Sequence, residues 1–434
     1  MNDNHLKVVW ISHFSDAQLR EYLRFDRLYY RRLLYWLYKK PMLINHDYAP
    51  WIRNAIRQFE RFDDIDLTII HPHYGVSKGV QNFSSNGVKY VCFRSEDDNL
   101  MSYVLKLIIR GYHSNYKKNS RIIADTIKSI KPDIVHYIGA ENPDYSLSAL
   151  EVPPTIPCLV SLQTLMSVSG FCDNYPIDKK LYIFRSKAEM DVIRRCDYIA
   201  SGTKAYQNDV KTLIKPNVPI LNLSLAIGID INLSSNNKEY DFVYYAGNIS
   251  KAGDYAVEAF AIACKKYPHL KLNMSGAYTE EYKNELDKRI KELKIERNVV
   301  FTGSKSSYDE VIMQIKKSRF ALLPIKVDII SSTIREAMAC GLPVVTTITP
   351  GTPLLNKVRE SVLLSEKGDY QSMASNMIKL VENDAFANSL RENAILTIQE
   401  FYSNETFMEK WRGAYYAISD NFKNGKSIPK ELLV

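Results

Sequence analysis

Short apolar runs alternate with amphipathic stretches along much of this chain, and one segment shows the pattern most sharply. Residues 320–345 are FALLPIKVDIISSTIREAMACGLPVV. Phe320 to Pro324 has the apolar run of a short buried strand. Ile325 to Ser332 is a polar loop, and a helix is expected from about Thr333 to Cys340. Gly341 stands where a left-handed C-terminal cap belongs, with Pro343 just beyond it. Val344 to Thr347 is β-branched, as suits the next strand. Strand, loop, helix and strand in this order make a βαβ unit. In a sheet of such units the loop at the carboxyl end of a strand, and the start of the following helix, face the ligand crevice.

Two acids bracket that loop, Asp328 and Glu336. A carboxylate accepts two hydrogen bonds from a vicinal diol, so a pair at the mouth of a crevice suits ribose or hexose hydroxyls. The amides of Ser331, Ser332, Thr333 and Ile334 lie at a helix N-terminus, where an anion is stabilised. The same two acids also fit a plain loop residue and a carboxylate that complements the helix dipole, and both readings stay open on these residues alone.

An acid, seven residues, then Glu336-Ala337-Met338-Ala339-Cys340-Gly341-Leu342-Pro343-Val344-Val345 resembles the donor-sugar loop of the retaining GT-B glycosyltransferases of family four. The second half is a specific match. The first half departs from the pattern, with Asp328 in place of Glu and Ile329-Ile330-Ser331 in place of Gly-Phe-Gly. The resemblance implies an α/β protein of GT-B fold: two Rossmann-like domains facing across a cleft, with a C-terminal helix crossing back to the first. It implies that Glu336 holds the ribose and Asp328 the hexose hydroxyls.

Further segments extend the resemblance. After the strand DFVYYA (Asp241 to Ala246) comes Gly247-Asn248-Ile249-Ser250-Lys251. A glycine-bearing turn with a lysine between strand and helix is a reasonable seat for a diphosphate. The family has Gly-Arg and then Lys-Gly here; Asn248 replaces the arginine, so one phosphate cation is missing and another basic residue has room to substitute. Ser275 and Gly276 end one strand, and Gly303 ends another whose turn lines the base pocket in the family. In the first half, PDIVHYIG (Pro132 to Gly139) is similar to a family strand whose following loop faces the acceptor and the transferred sugar. His136 and Glu141 are candidate contacts there, although a buried histidine bonded to backbone fits equally. Thr203 and Lys204 are candidates on the acceptor side. The first strand, LKVVWIS, runs into His13-Phe14-Ser15-Asp16, not the family's glycine-rich loop, so a phosphate cradle is not expected there.

At 434 residues the chain calls for more than one core. Domains are expected at 1–225 for the acceptor and 238–400 for the nucleotide-sugar donor. The Ser/Asn-rich stretch 222–237 links them, and a crossover helix with a loose tail fills 401–434. The net charge of +8 permits an anionic partner without choosing one. Six cysteines lack CxxC or zinc-like spacing and fit buried thiols of a cytosolic protein. His71 and His73 have no third ligand at metal spacing. No signal peptide and no run of 18 apolar residues is visible.

Residues 16–40 carry Arg20, Arg24, Arg27, Arg31, Arg32, Lys39 and Lys40 among Tyr29, Tyr30, Trp36 and several leucines. One basic amphipathic helix is expected there. It suits either the headgroups of an anionic membrane or packing on its own domain with a solvated basic face.

The reading that follows is a retaining hexosyltransferase. It takes a UDP or GDP sugar, needs no metal ion or other cofactor, and acts on a glycan or lipid-linked oligosaccharide of a bacterial surface polysaccharide, capsule or O-antigen. The protein would be cytoplasmic, at most peripheral on the inner membrane face. A nucleotide-sugar epimerase of the same fold and a non-catalytic nucleotide-sugar or membrane binder remain as alternatives. Nucleic acid is not an expected partner, because the basic residues concentrate in one helix without a nucleic-acid motif.

Overall fold

A computed structural model describes residues 5–26, 47–168, 177–223, 237–246, 251–326, 328 and 330–433. The chain divides into two compact units, Met1–Gly228 together with Phe407–Val434, and Ile229–Thr406.

The first unit holds one eight-stranded sheet of β1 (Leu6–Ile11), β2 (Ile65–His73), β3 (Val80–Ser85), β4 (Val88–Arg94), β5 (Ile134–Ile138), β6 (Cys158–Ser161), β7 (Tyr198–Ala200) and β8 (Ile220–Leu221). The strand order is β3-β4-β2-β1-β5-β6-β7-β8. All pairings are parallel except β3 with β4. The central strands are apolar because helices cover both faces of a parallel sheet. Within the 100–130 stretch, helices Leu100–Ile108 and Lys117–Ile130 are separated by a turn with Gly111 at φ 74°.

The last helix, Asn404–Asn424, completes this core. Trp411 stacks on the His136 ring at 4.9 Å between centroids. The Tyr415 hydroxyl accepts from Trp10 Nε1 at 2.7 Å and lies 2.7 Å from His136 Nδ1. Arg412 clamps the Asp64 carboxylate with Nε at 2.9 Å and a terminal nitrogen at 2.7 Å. The tail beyond is not loose as expected. The Asn222 amide donates to the Leu432 carbonyl at 2.8 Å and Leu433 bridges Leu221.

The expected helix over 16–40 is also corrected. Asp16 caps a helix that runs only over Ala17–Tyr22, and Leu23 is extended. Phe25 then makes an isolated antiparallel bridge to Val76, just past β2. Arg20 is not spread on a solvated face; it donates to Ser15 Oγ at 3.0 Å and to Asp47 at 2.9 Å. Arg27, Arg31, Arg32, Lys39 and Lys40 lie outside the described residues.

The second unit has six parallel strands: β9 (Tyr240–Tyr245), β10 (Leu272–Ser275), β11 (Val299–Gly303), β12 (Ser318–Leu323), β13 (Val344–Thr347) and β14 (Leu363–Ser365), in the order β11-β10-β9-β12-β13-β14. The chain winds outward from β9 in one direction and outward from β12 in the other, which is the doubly-wound dinucleotide-binding order. Phe242, Tyr244, Leu272, Met274, Phe320 and Leu322 form its core with Phe260, Leu286 and Met377. Among the described residues, no helix is long and apolar enough to cross a membrane.

Candidate functional site

In an open doubly-wound sheet, ligands bind outside the carboxyl ends of the two strands where the winding reverses. In the second unit those strands are β9 and β12. The chain leaves β9 toward Lys251 and leaves β12 toward Asp328, and the two side chains meet. Lys251 Nζ donates to the Asp328 carboxylate and to Ser331 Oγ, the latter at 2.9 Å. Ser331 Oγ in turn lies 2.8 Å from Thr333 Oγ1. Residues 77 and 80 positions apart in sequence therefore form one polar cluster at the switch point.

Glu336 stands on the helix Ser332–Ala339 and is 4% exposed. Burial raises its carboxyl to about 7, against opposing hydrogen bonds from Tyr308 and Ser332 and the charges of Arg335 and Lys251. A buried carboxylate stripped of water gains from any hydroxyl that arrives as a donor. Tyr245, at the end of β9, donates to the Thr333 carbonyl and ties the helix start to the strand.

The raised pKa sets a stability expectation. The folded state holds a proton on Glu336 up to about pH 7, whereas an unfolded glutamate releases it near 4.5. Folding therefore loses stability as pH rises across that window. Glu336→Gln removes the penalty. The variant is expected to gain up to about 3 kcal/mol over the wild-type chain at pH 8, and little at pH 4.5, in urea melts of both proteins.

The other candidates divide. Gly276 and Gly303 adopt φ of 146° and 67° and end adjacent strands, with the Gly276 amide donating to the Gly303 carbonyl at 3.1 Å. Ser275 is buried and its hydroxyl also donates to that carbonyl, so it fastens the two turns together. The Ile334 amide donates to the Ser331 carbonyl at 3.2 Å, which occupies one of the amides expected for an anion. Gly247 and Asn248 lie outside the described residues.

Lys326 was not singled out in the sequence. It follows β12 by three residues, donates to Asp254 at 2.7 Å and sits over the Tyr255 ring at 4.8 Å. It stands on the loop that carries Asp328, whereas Lys251 stands on the loop after β9. A lysine inside that loop, read against the missing arginine at 248, was the available signal.

In the first unit, His136 is corrected from a catalytic candidate to a core residue. It is fully buried in β5, with Nδ1 on Tyr415 and Nε2 2.6 Å from Ser161 Oγ. Burial lowers its pKa to about 3, so it stays neutral. Glu141 is buried just past β5, with one carboxylate oxygen lacking a partner and its pKa raised by burial. Gly139, at φ 96°, leaves room for it: a Cβ there would lie 2.7 Å from the Glu141 carboxylate. His13, past the neighbouring β1, is half-buried with its Nδ1 enclosed and unpartnered, and desolvation lowers its pKa to about 4. Strands β1 and β5 flank the reversal of winding in this sheet, so Glu141 and His13 hold the equivalent place. Thr203 is buried at the N-cap of the helix Lys204–Asp209, and Lys204 is exposed.

Comparison with solved structures places the class. Sucrose-phosphate synthase from Thermosynechococcus elongatus superposes over 95% of this chain and 98% of its own, at a TM-score of 0.65 and 12% identity. Anabaena HepE, solved with UDP and glucose, covers 95% and 100% at a TM-score of 0.62 and 12% identity. The protein has the GT-B fold.

Sequence comparison points the same way in the second unit, where residues 230–397 match the family described as glycosyl transferases group 1. A 137-residue stretch is 28% identical to N-acetyl-alpha-D-glucosaminyl L-malate synthase of Bacillus anthracis, covering 32% of this chain and 35% of that protein. A 164-residue stretch is 28% identical to an uncharacterized glycosyltransferase of Haemophilus influenzae, covering 38% and 45%. The matches thus span about a third to a half of these relatives.

Proposed function

We propose that the protein transfers a hexose from a nucleotide-diphosphate donor to a glycan or lipid-linked oligosaccharide, with retention of configuration and without a metal ion, in the assembly of a surface polysaccharide. The observation that carries this reading is the convergence of Lys251, Asp328 and Ser331 at the switch point of the second sheet, on the loop that leads into the Glu336 helix. The donor's ribose hydroxyls donate to Glu336. Its diphosphate draws Lys251 Nζ from Asp328, which frees the Asp328 carboxylate for the hexose hydroxyls. As the glycosidic bond breaks, charge grows on the departing phosphate, and Lys251 supplies a fixed countercharge there. Lys326 supports a second contact in place of the cation missing at Asn248. Complexes of HepE with UDP and glucose agree with a uridine donor.

The test is a panel of UDP and GDP sugars read by thermal shift. The stabilising donor is then incubated with chelator and a lipid-linked glycan extract. One donor is expected to stabilise the chain and to pass its sugar on with its anomeric configuration unchanged by NMR. An inverted product overturns retention, and loss of rate with chelator overturns metal independence. Conversion of the donor alone into its epimer makes the protein an epimerase, and stabilisation without turnover makes it a binding protein.

A further inference from the structure

The helix Leu100–Ile108 lies on the first unit with its faces reversed. At about 100° per residue, Leu100, Val104, Ile108 and Met101 fall within an arc of roughly 100° on one side. That is the side exposed to solvent, with Met101 66% and Ile108 74% accessible. The opposite side is polar and meets the protein at Ser102, while Lys106 beside it stays partly exposed. Ser102 there is 5% exposed, and Lys106 donates to the buried Asp97 carboxylate at 2.9 Å. Asn99 caps the helix by accepting from the Ser102 amide at 2.9 Å. The backbone is thus fixed in an orientation that turns its apolar stripe outward, and Ile109 just beyond the helix is exposed as well.

Basic residues rim the far end of the stripe. The Arg110 side chain is 93% exposed, its Nε 3.2 Å from Asp178. A Cβ on Gly111 would lie 3.2 Å from Lys180 Cβ, so the start of the helix Lys179–Arg195 abuts this turn. Lys179 and Lys180 are both exposed.

We infer that this face docks on an anionic lipid bilayer, lying in the headgroup region with Leu100, Met101, Val104 and Ile108 among the acyl chains and Arg110, Lys179 and Lys180 against phosphate. An exposed apolar stripe with a cationic border is the pattern of an interfacial helix. The border also argues for lipid over a second copy of this chain. A two-fold contact through the stripe would set the two cationic borders against each other, whereas each cation gains near an anionic surface. The surface differs from the 16–40 segment in which a membrane contact was expected from sequence, and it is independent of the transferase reading.

The test is co-sedimentation of the full chain with vesicles of equal parts phosphatidylglycerol and phosphatidylcholine, beside vesicles of phosphatidylcholine alone. The wild-type chain is expected to partition onto the anionic vesicles only. Met101→Glu with Ile108→Glu is expected to reduce that partitioning about tenfold or more. Arg110→Gln with Lys180→Gln should weaken it while leaving circular dichroism and thermal melting unchanged, which guards against a variant that fails to fold. Three results overturn the inference: no partitioning of the wild-type chain, equal partitioning of the apolar variant, or a concentration-dependent dimer that Ile108→Glu dissolves. Nucleotide-sugar stabilisation measured on the same preparations reports on the proposed function separately.

Discussion

Lys251→Ala is expected to slow sugar transfer by about 100- to 1,000-fold with every donor the protein accepts, with kcat falling more than KM rises. The lysine contributes a point charge where the diphosphate departs, and that charge matters most when the bond to the sugar is breaking. The structure makes the variant informative because the side chain is only partly buried. Lys251 and Asp328 are 22% and 23% exposed, so removing one partner leaves the other in reach of water. Melting temperature should move little while rate collapses. A rate within a factor of two of the wild-type chain would discard the phosphate role.

Glu336→Ala is expected to weaken nucleotide binding by about 100-fold or more by calorimetry. Two hydroxyls donating to a buried carboxylate are each worth about 1.5–3 kcal/mol, and alanine forfeits both. Glu336→Gln keeps one acceptor oxygen and should lose only about tenfold. Binding that is unchanged in both variants would remove the ribose role. The glutamine variant also guards against misfolding, because alanine strands the Tyr308 and Ser332 hydroxyls that now bond Glu336.

Much of the second unit was legible in the sequence because its signals are local. The segment from Phe320 to Val345 contains a strand, a loop, a capped helix and another strand within one βαβ unit, and β12, the helix Ser332–Ala339 and β13 follow it closely. Lys251 was legible from its turn, but its bond to Asp328 depends on strand order, which no local pattern carries. His136 misled for the same reason in reverse. Its strand and motif were visible, yet its partner Tyr415 lies 279 residues away. Nothing near position 136 announces that both ring nitrogens are occupied.

The break at Leu23 was hidden because helical spacing continues past it on paper. Asp16 closes the helix start, while Arg20 is held by Ser15 and Asp47. The reversed faces of Leu100–Ile108 were equally hidden. Periodicity shows that a stripe exists, but only packing shows which way it points.

The return of Phe407–Val434 to the first unit has a consequence for how the protein is made. A ribosome delivers β1 and β5 early, yet Trp411 and Tyr415, which seal the space beside Trp10 and His136, emerge last. The middle of the polypeptide can finish its own interior while the beginning waits, unsealed, for the end. Nascent chains cut short before position 407 should therefore leave the amino-terminal half exposed to chaperones and proteases, whatever state the centre has reached.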